Sequence, residues 1–274
     1  MRYPNGMRKI KKNHKMRKFL FIVALIATAF CAKAQTNIQI QYDFGEKRQN
    51  ITTTLEMFKT DLWGSTFFFV DITHDGKFQH QDGVSFSAPI GAYTEIARAL
   101  NFWQDTKLGA LSAHVEYNGG LGVVPNVFGY GINNSWLFGA EYLFHSQDYK
   151  NTLTIEVLYK TIAKTTQDVP MQFTIVWGCQ NLFGAKGLTF SGFADFWWET
   201  TEWTILNDDP EIAPTIEKTT GVFISEPQLW YCIGQFFGCN NLNIGGEVEI
   251  ACNFTGNDTK GWHVNPACGI KWNF

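Results

Sequence analysis

An alternation of apolar and polar residues runs from Gln35 to the last residue, Phe274, and restricts the fold more than any other feature of the chain. Residues 37–44 set Ile38, Ile40, Tyr42 and Phe44 against Asn37, Gln39, Gln41 and Asp43. Residues 152–160 set Leu153, Ile155, Val157 and Tyr159 against Thr154, Glu156 and Lys160. Residues 242–254 set Leu242, Ile244, Val248, Ile250, Cys252 and Phe254 against Asn243, Glu247, Glu249 and Asn253. The final stretch sets Trp262, Val264, Cys268, Ile270, Trp272 and Phe274 against His263, Asn265, Lys271 and Asn273. Successive side chains of a strand point to opposite faces, so this period describes strands with one apolar and one polar side.

About 12 such segments are legible, near 36–44, 50–60, 64–73, 92–103, 108–118, 135–146, 152–161, 171–179, 188–199, 220–233, 241–254 and 261–274. Strands of about 9–14 residues are long for a soluble sheet and fit a tilted membrane crossing. Aromatic residues are 16% of the chain and charged residues 17%. After residue 30 no apolar run approaches the roughly 18 residues that a membrane helix needs. In hydrocarbon an open sheet edge would leave a row of backbone groups unpaired, so such strands must close on themselves. The fold class expected is all-β, a closed antiparallel transmembrane barrel of about 12 strands, an even number that places both termini on one side.

The first residues read as an export signal. Arg17 and Lys18 precede an apolar stretch from Phe19 to Phe30, and Ala32-Lys33-Ala34 forms an A-x-A cleavage pattern. Residues 1–34 are therefore expected to be removed, with an over-extended start before Met16, and residues 35–274 to form the barrel. The signal holds nine of the 22 basic side chains and none of the 25 acidic ones, leaving 13 against 25 and a formal charge of −12. That balance argues against nucleic acid as a partner, because phosphates would be repelled.

Five cysteines follow the signal: Cys179, Cys232, Cys239, Cys252 and Cys268. They read as small apolar fillers, with room for one disulfide between Cys239 and Cys179 or Cys232. No Cys/His spacing matches a zinc site, so no metal and no cofactor is expected.

Connections after the even segments read as short, as at Asp61–Trp63 and Gln104–Lys107, and those after the third, fifth and ninth as long: Thr73–Gly91, Gly119–Asn134 and Thr200–Thr219. Such alternation is expected when one barrel end faces the periplasm and the other the outside. Two regions fit a regular strand poorly. Glu95 and Arg98 are three apart and cannot both point inward, which leaves room for a bulge or helical turn. Pro227 interrupts the segment 220–233.

The inner face by phase carries Glu56, Asp71, His114, Glu116, Glu141, Glu156, Asp195, Glu247, Glu249 and His263, with Lys160 and Lys271 opposing. Buried charges need water or partners, so this face implies a solvated lumen or an ion-pair network. Glu56, Glu116, Glu156, Glu247, Glu249 and Lys271 are the lumen-lining candidates. Aromatics share the face with acids: Phe67 and Phe69 beside Asp71, Phe193 and Trp197 beside Asp195. Flat rings stack on bases or sugars, and carboxylates accept hydrogen bonds from hydroxyl and amino groups.

The stretch Ser191–Trp198, the turn Asp61-Leu62-Trp63-Gly64 leading into Phe67–Asp71, and the Phe-terminated last strand resemble the Tsx-like nucleoside-specific channels and a related outer-membrane family of Bacteroidota of undefined function. The resemblance implies a monomeric 12-stranded barrel with a narrow nucleoside channel. It implies Phe67, Phe69, Asp71, Phe193, Asp195 and Trp197 as substrate contacts, and a last strand read by the barrel-assembly machinery. The expected function is passive diffusion of small polar solutes, nucleosides among them, across the outer membrane. Two other readings stand beside it. One is a non-conducting barrel acting as adhesin or structural protein through its loops. The other is an outer-membrane hydrolase, for which His145-Ser146 and the group His74, Asp75, His80 and Asp82 are the only hints, and no catalytic residue is assigned.

Overall fold

The computed structural model describes residues 35–45, 48–74, 89–124, 128–165, 167–205, 213–257 and 259–274. The segment read as an export signal lies outside them. The alternating segments form β1 (Gln35–Asp43), β2 (Ile51–Asp61), β3 (Gly64–His74), β4 (Pro89–Leu100), β5 (Leu111–Val124), β6 (Phe128–His145) and β7 (Asn151–Ile162). They continue as β8 (Met171–Gln180), β9 (Leu188–Ile205), β10 (Thr215–Ser225), β11 (Gln228–Tyr231), β12 (Leu242–Cys252) and β13 (Trp262–Asn273). Each strand pairs antiparallel with its neighbours in order, and β13 closes the ring on β1 with Asn37 opposite Asn273 and Asp43 opposite Ala267. The Phe274 N–H donates to Thr36 O at 2.9 Å, so the pairing runs to the chain's last residue.

β10 and β11 both lie between β9 and β12 and together fill one position, so the barrel has twelve. The break falls at Glu226-Pro227, where proline has no N–H to give the ladder. The irregularity is bridged by Glu226 N–H to Phe193 O at 3.1 Å and Val248 N–H to Pro227 O at 3.0 Å. Gly192, opposite the break, has φ +152°, and a Cβ there would lie 2.4 Å from Glu226 O. Only glycine fits both constraints.

The two faces of the wall are inverted relative to a soluble protein. On β1 the inward Asn37, Gln39, Gln41 and Asp43 are buried, whereas Ile38, Ile40 and Tyr42 are exposed. The same holds for β6 and β7, where Trp136, Phe138, Tyr142, Phe144, Leu153, Ile155, Val157 and Tyr159 face outward. An apolar exterior around a polar interior is stable when hydrocarbon replaces water outside.

Glu95 and Arg98 do point to opposite faces, and three other readings are revised. β4 is regular from Gly91 to Leu100: Glu95 pairs with Phe69 on the inner face and Arg98 with Thr66 on the outer. Arg98 is satisfied there by Asp61, with both guanidinium bonds at 2.8 Å, so neither bulge nor helical turn is needed. The supposed long loops 119–134 and 200–219 are mostly strand, because β5–β6 and β9–β10 continue as hairpins to Val124/Phe128 and Ile205/Thr215. Conversely, residues 101–110 between β4 and β5 form a longer turn than Gln104–Lys107. The asymmetry of the two ends therefore lies in strand overhang. Alternation continues into these hairpins, but glycine-rich stretches such as Gly119–Gly122 mask it.

Candidate functional site: the polar interior

Inward side chains meet in groups that the sheet order determines. From β5, β6 and β7 come His114, Glu116, Glu141 and Glu156. His114 Nδ1 lies 2.7 Å from Glu141 Oε2, and Nε2 lies 3.2 Å from Glu116 Oε2. Glu156 Oε2 is 3.8 Å from Nδ1, and Asn118 Nδ2 donates to Glu116 Oε1 at 3.0 Å. His114, Glu116, Asn118 and Glu156 are all buried.

A second group follows on β7–β9. Lys160 Nζ donates to Gln172 Oε1 at 2.6 Å, Gln172 Nε2 to Thr174 Oγ1 at 2.9 Å, and Thr174 Oγ1 to Asp195 Oδ1 at 2.6 Å. Lys160 also sits 3.8 Å above the Trp197 ring. A buried ammonium held by an amide and an aromatic face is satisfied without a direct carboxylate contact.

The third group spans β1, β2, β3, β11, β12 and β13. Asn37, Gln39 and Gln41 form a side-chain ladder, and Asn37 Nδ2 donates to Glu56 at 2.8 Å. Thr54 Oγ1 donates to Asp71 at 2.6 Å. Gln228 Nε2 donates to Glu247 at 2.9 Å, Trp230 Nε1 donates to Gln228 at 3.0 Å, and Lys271 lies 4.3 Å from the Trp230 ring. Toward the end opposite the termini, Arg48 reaches in from the β1–β2 connection. It bonds Glu249 at 2.6 Å, Asn257 at 3.1 Å and Asp43 at 3.4 Å, while Asn265 donates to Glu249 at 3.1 Å.

Apolar packing shares this interior. Trp197, Val222, Ile224 and Ala251 form a cluster joined by Ile162, Phe193 and Phe254. Leu137, Leu158 and Trp230 are fully buried. At the same end a cleft of about 710 Å³ is lined by Lys164, Asp168, Glu199, Glu202, Lys218 and several threonines. Mutually bonded polar groups and this apolar packing both occupy the interior.

A family model described as "Domain of unknown function (DUF5020)" matches residues 34–274. The chain belongs to that family. No curated protein matches it. Among solved structures, Pseudomonas putida OprB is similar with a TM-score of 0.39 and 10% identity, over 82% of this chain and 59% of OprB. A mutant of the Rh. blastica porin is similar with a TM-score of 0.32 and 10% identity, over 88% of this chain and 99% of that one. This DUF5020 chain thus spans somewhat over half the length of OprB.

In this DUF5020 barrel Phe67, Phe69 and Asp71 lie on the inner face of β3, and Phe193, Asp195 and Trp197 on that of β9. Six steps around twelve positions separate the two strands, so the triads stand on opposite walls. The Phe67 and Phe69 rings are 5.9 Å apart, and Phe69 is 5.9 Å from Tyr93. Trp197 is taken up by the apolar cluster and by Lys160. Glu56, Glu116, Glu156, Glu247, Glu249 and Lys271 also line the interior.

The expectation of no metal rested on Cys/His spacing; beyond that spacing, His114, Glu116 and Glu156 place ligand atoms within 4.8 Å of one another. Strand phase put His114 and Glu116 on one face, but only pairing through β6 brings Glu156 beside them. Arg48 escaped sequence reading because it lies in a connection with no period. All five described cysteines are free, so the disulfide considered for Cys239 is absent. The hydrolase hints do not converge: Ser146 Oγ donates to Asp148 at 2.7 Å, and the His145 ring stacks on Tyr149 with centroids 3.8 Å apart. His74 is 3.3 Å from Thr53 Oγ1, and Asp75, His80 and Asp82 lie outside the described residues.

Proposed function

We propose that this chain is an outer-membrane channel of narrow bore that passes small neutral or cationic polar solutes by passive diffusion. The observation that carries the reading is the inversion of the wall, with buried Asn37, Gln39, Gln41 and Asp43 inside and exposed Ile38, Ile40 and Tyr42 outside. Carboxylates outnumber Lys160, Lys271 and Arg48 on the inner face, so anions and phosphorylated solutes are disfavoured. The end bearing both termini faces the periplasm. The barrel acts as a monomer, and its last strand is the signal that the assembly machinery reads.

Nucleosides are the solute class that the lining favours within this reading. Asp71 and Asp195 each spend one oxygen on a threonine hydroxyl and stand beside Phe67, Phe69 and Phe193, so ring stacking and acceptance from sugar hydroxyls are available on facing walls. The packed Leu137, Leu158, Val222 and Ala251 favour a second reading, a filled barrel that acts through its extended β5–β6 hairpin, where Phe128 and Tyr130 are exposed. Single-channel recording of refolded residues 35–274 in a planar bilayer separates the two. The channel reading expects cation-selective steps, partly blocked by added nucleosides and less blocked in Asp195→Asn. Silence from a folded barrel overturns it and leaves the hairpin reading.

A further inference from the structure

We propose that His114, Glu116 and Glu156 form a lumenal binding site for a divalent first-row transition ion, with Glu141 as the outer partner of the imidazole. The site needs only the barrel wall and does not depend on conduction.

Both ring nitrogens of His114 face carboxylate oxygens, Nδ1 toward Glu141 at 2.7 Å and Nε2 toward Glu116 at 3.2 Å. A neutral imidazole has one N–H. With that hydrogen on Nδ1 toward Glu141, Nε2 is the lone pair that a cation beside Glu116 would take up, in place of the second proton an imidazolium carries there. The Nδ1–H···Glu141 bond is also the arrangement that orients metal-bound histidines and raises their basicity. Asn118 fixes the other oxygen of Glu116 at 3.0 Å and so aims Oε2 at the ring.

Glu156 is the independent indication. Its side chain is 8% exposed and receives no hydrogen bond among the described residues. Its nearest nitrogen is His114 Nδ1 at 3.8 Å, beyond hydrogen-bond length, and Nδ1 lies closer to Glu141 at 2.7 Å. A buried carboxyl group so weakly engaged has lone pairs left for a further partner. Three carboxyl groups around one imidazole supply more acceptor oxygens than the two ring nitrogens can serve, and a dication would take up the surplus.

The spacing suits such an ion. Tetrahedral coordination at about 2.0–2.2 Å separates ligand atoms by roughly 3.3–3.6 Å. The three candidate atoms lie within 4.8 Å, so small rotations of Glu116 and Glu156 close the set. One imidazole and two carboxylates favour Zn²⁺, Mn²⁺ or Fe²⁺ over Ca²⁺ and Mg²⁺, which take oxygen ligands in larger number or keep their waters. A fourth position is left for water or a passing solute.

The test is calorimetric titration of Zn²⁺ into chelator-treated, refolded barrel in detergent, with Co²⁺ absorption as the readout of low-coordinate geometry. The expected result is one saturable site per chain, weakened at least tenfold by Glu156→Gln and by His114→Gln. Glu141→Gln is expected to weaken it by about 10–100-fold, as outer partners do. Glu247→Gln, in a separate lumenal group, leaves it unchanged. Absence of a saturable site in the wild-type chain overturns the proposal without reference to any variant and makes the group an imidazolium–carboxylate cluster. Zinc binding that Glu156→Gln does not alter places the ion elsewhere and overturns it equally.

Discussion

Ile155→Arg tests the inverted wall directly. Ile155 sits near the middle of β7, 41% exposed, between Tyr142 on β6 and Ile175 on β8, both also outward-facing and exposed. If this band faces hydrocarbon, arginine at mid-depth costs about 2–4 kcal/mol, roughly 30- to 700-fold in the folding equilibrium. If the same surface faced water, an exposed isoleucine would exchange for arginine within about 0.5 kcal/mol. A depth control sharpens the contrast: Leu153, on the same face but beside the turn at Asn151, is expected to tolerate arginine at about 0–1 kcal/mol, since its side chain reaches the interface. The assay is reversible urea unfolding from phosphatidylcholine vesicles, followed by tryptophan fluorescence. Equal and small effects at both positions would refute the assignment of this face to lipid, and with it the membrane reading of the barrel.

Three further outcomes follow from the interior and the turns. Arg48→Gln leaves Asp43 and Glu249 without their shared cation and is expected to destabilise the barrel by about 2 kcal/mol in the same unfolding assay, below a fully buried pair because Arg48 is about a quarter exposed. Trp230→Ala removes a fully buried ring and is expected to cost about 3–5 kcal/mol, and conductance of any folded fraction should rise as the lumen widens beside Gly245 and Lys271. In the turn after β6, the Lys150 ammonium and Ser146 hydroxyl hold the Asp148 carboxyl well below the ordinary carboxylate range. Its contribution to stability is thus present above the unfolded value and lost as pH falls through the folded one. Carboxyl NMR titration of Lys150→Ala should move Asp148 back up toward the ordinary range, and an unchanged value would remove Lys150 as the cause.

The facing of nearly every strand residue was legible from the alternation alone. Which side of a strand a residue occupies follows from the pleat, whose period of two is set by covalent geometry and needs no neighbour. Pro227 likewise announced its own break, because a missing N–H interrupts any ladder it enters. The tertiary structure decided what alternation cannot encode. Arg98 could face outward because pairing of β2, β3 and β4 brings Asp61 beside it. The stretches at Gly119 and Thr200 continue as hairpins because their backbones find partners, whatever their local turn propensity. His114 and Glu156 meet only because β6 lies between β5 and β7 in a register that sets Ser112 opposite Glu141 and Glu141 opposite Glu156. Register is a property of pairs of strands, and closure a property of all of them. The sidedness of the wall was therefore written locally, whereas the meeting of charges inside it waited for the ring to close.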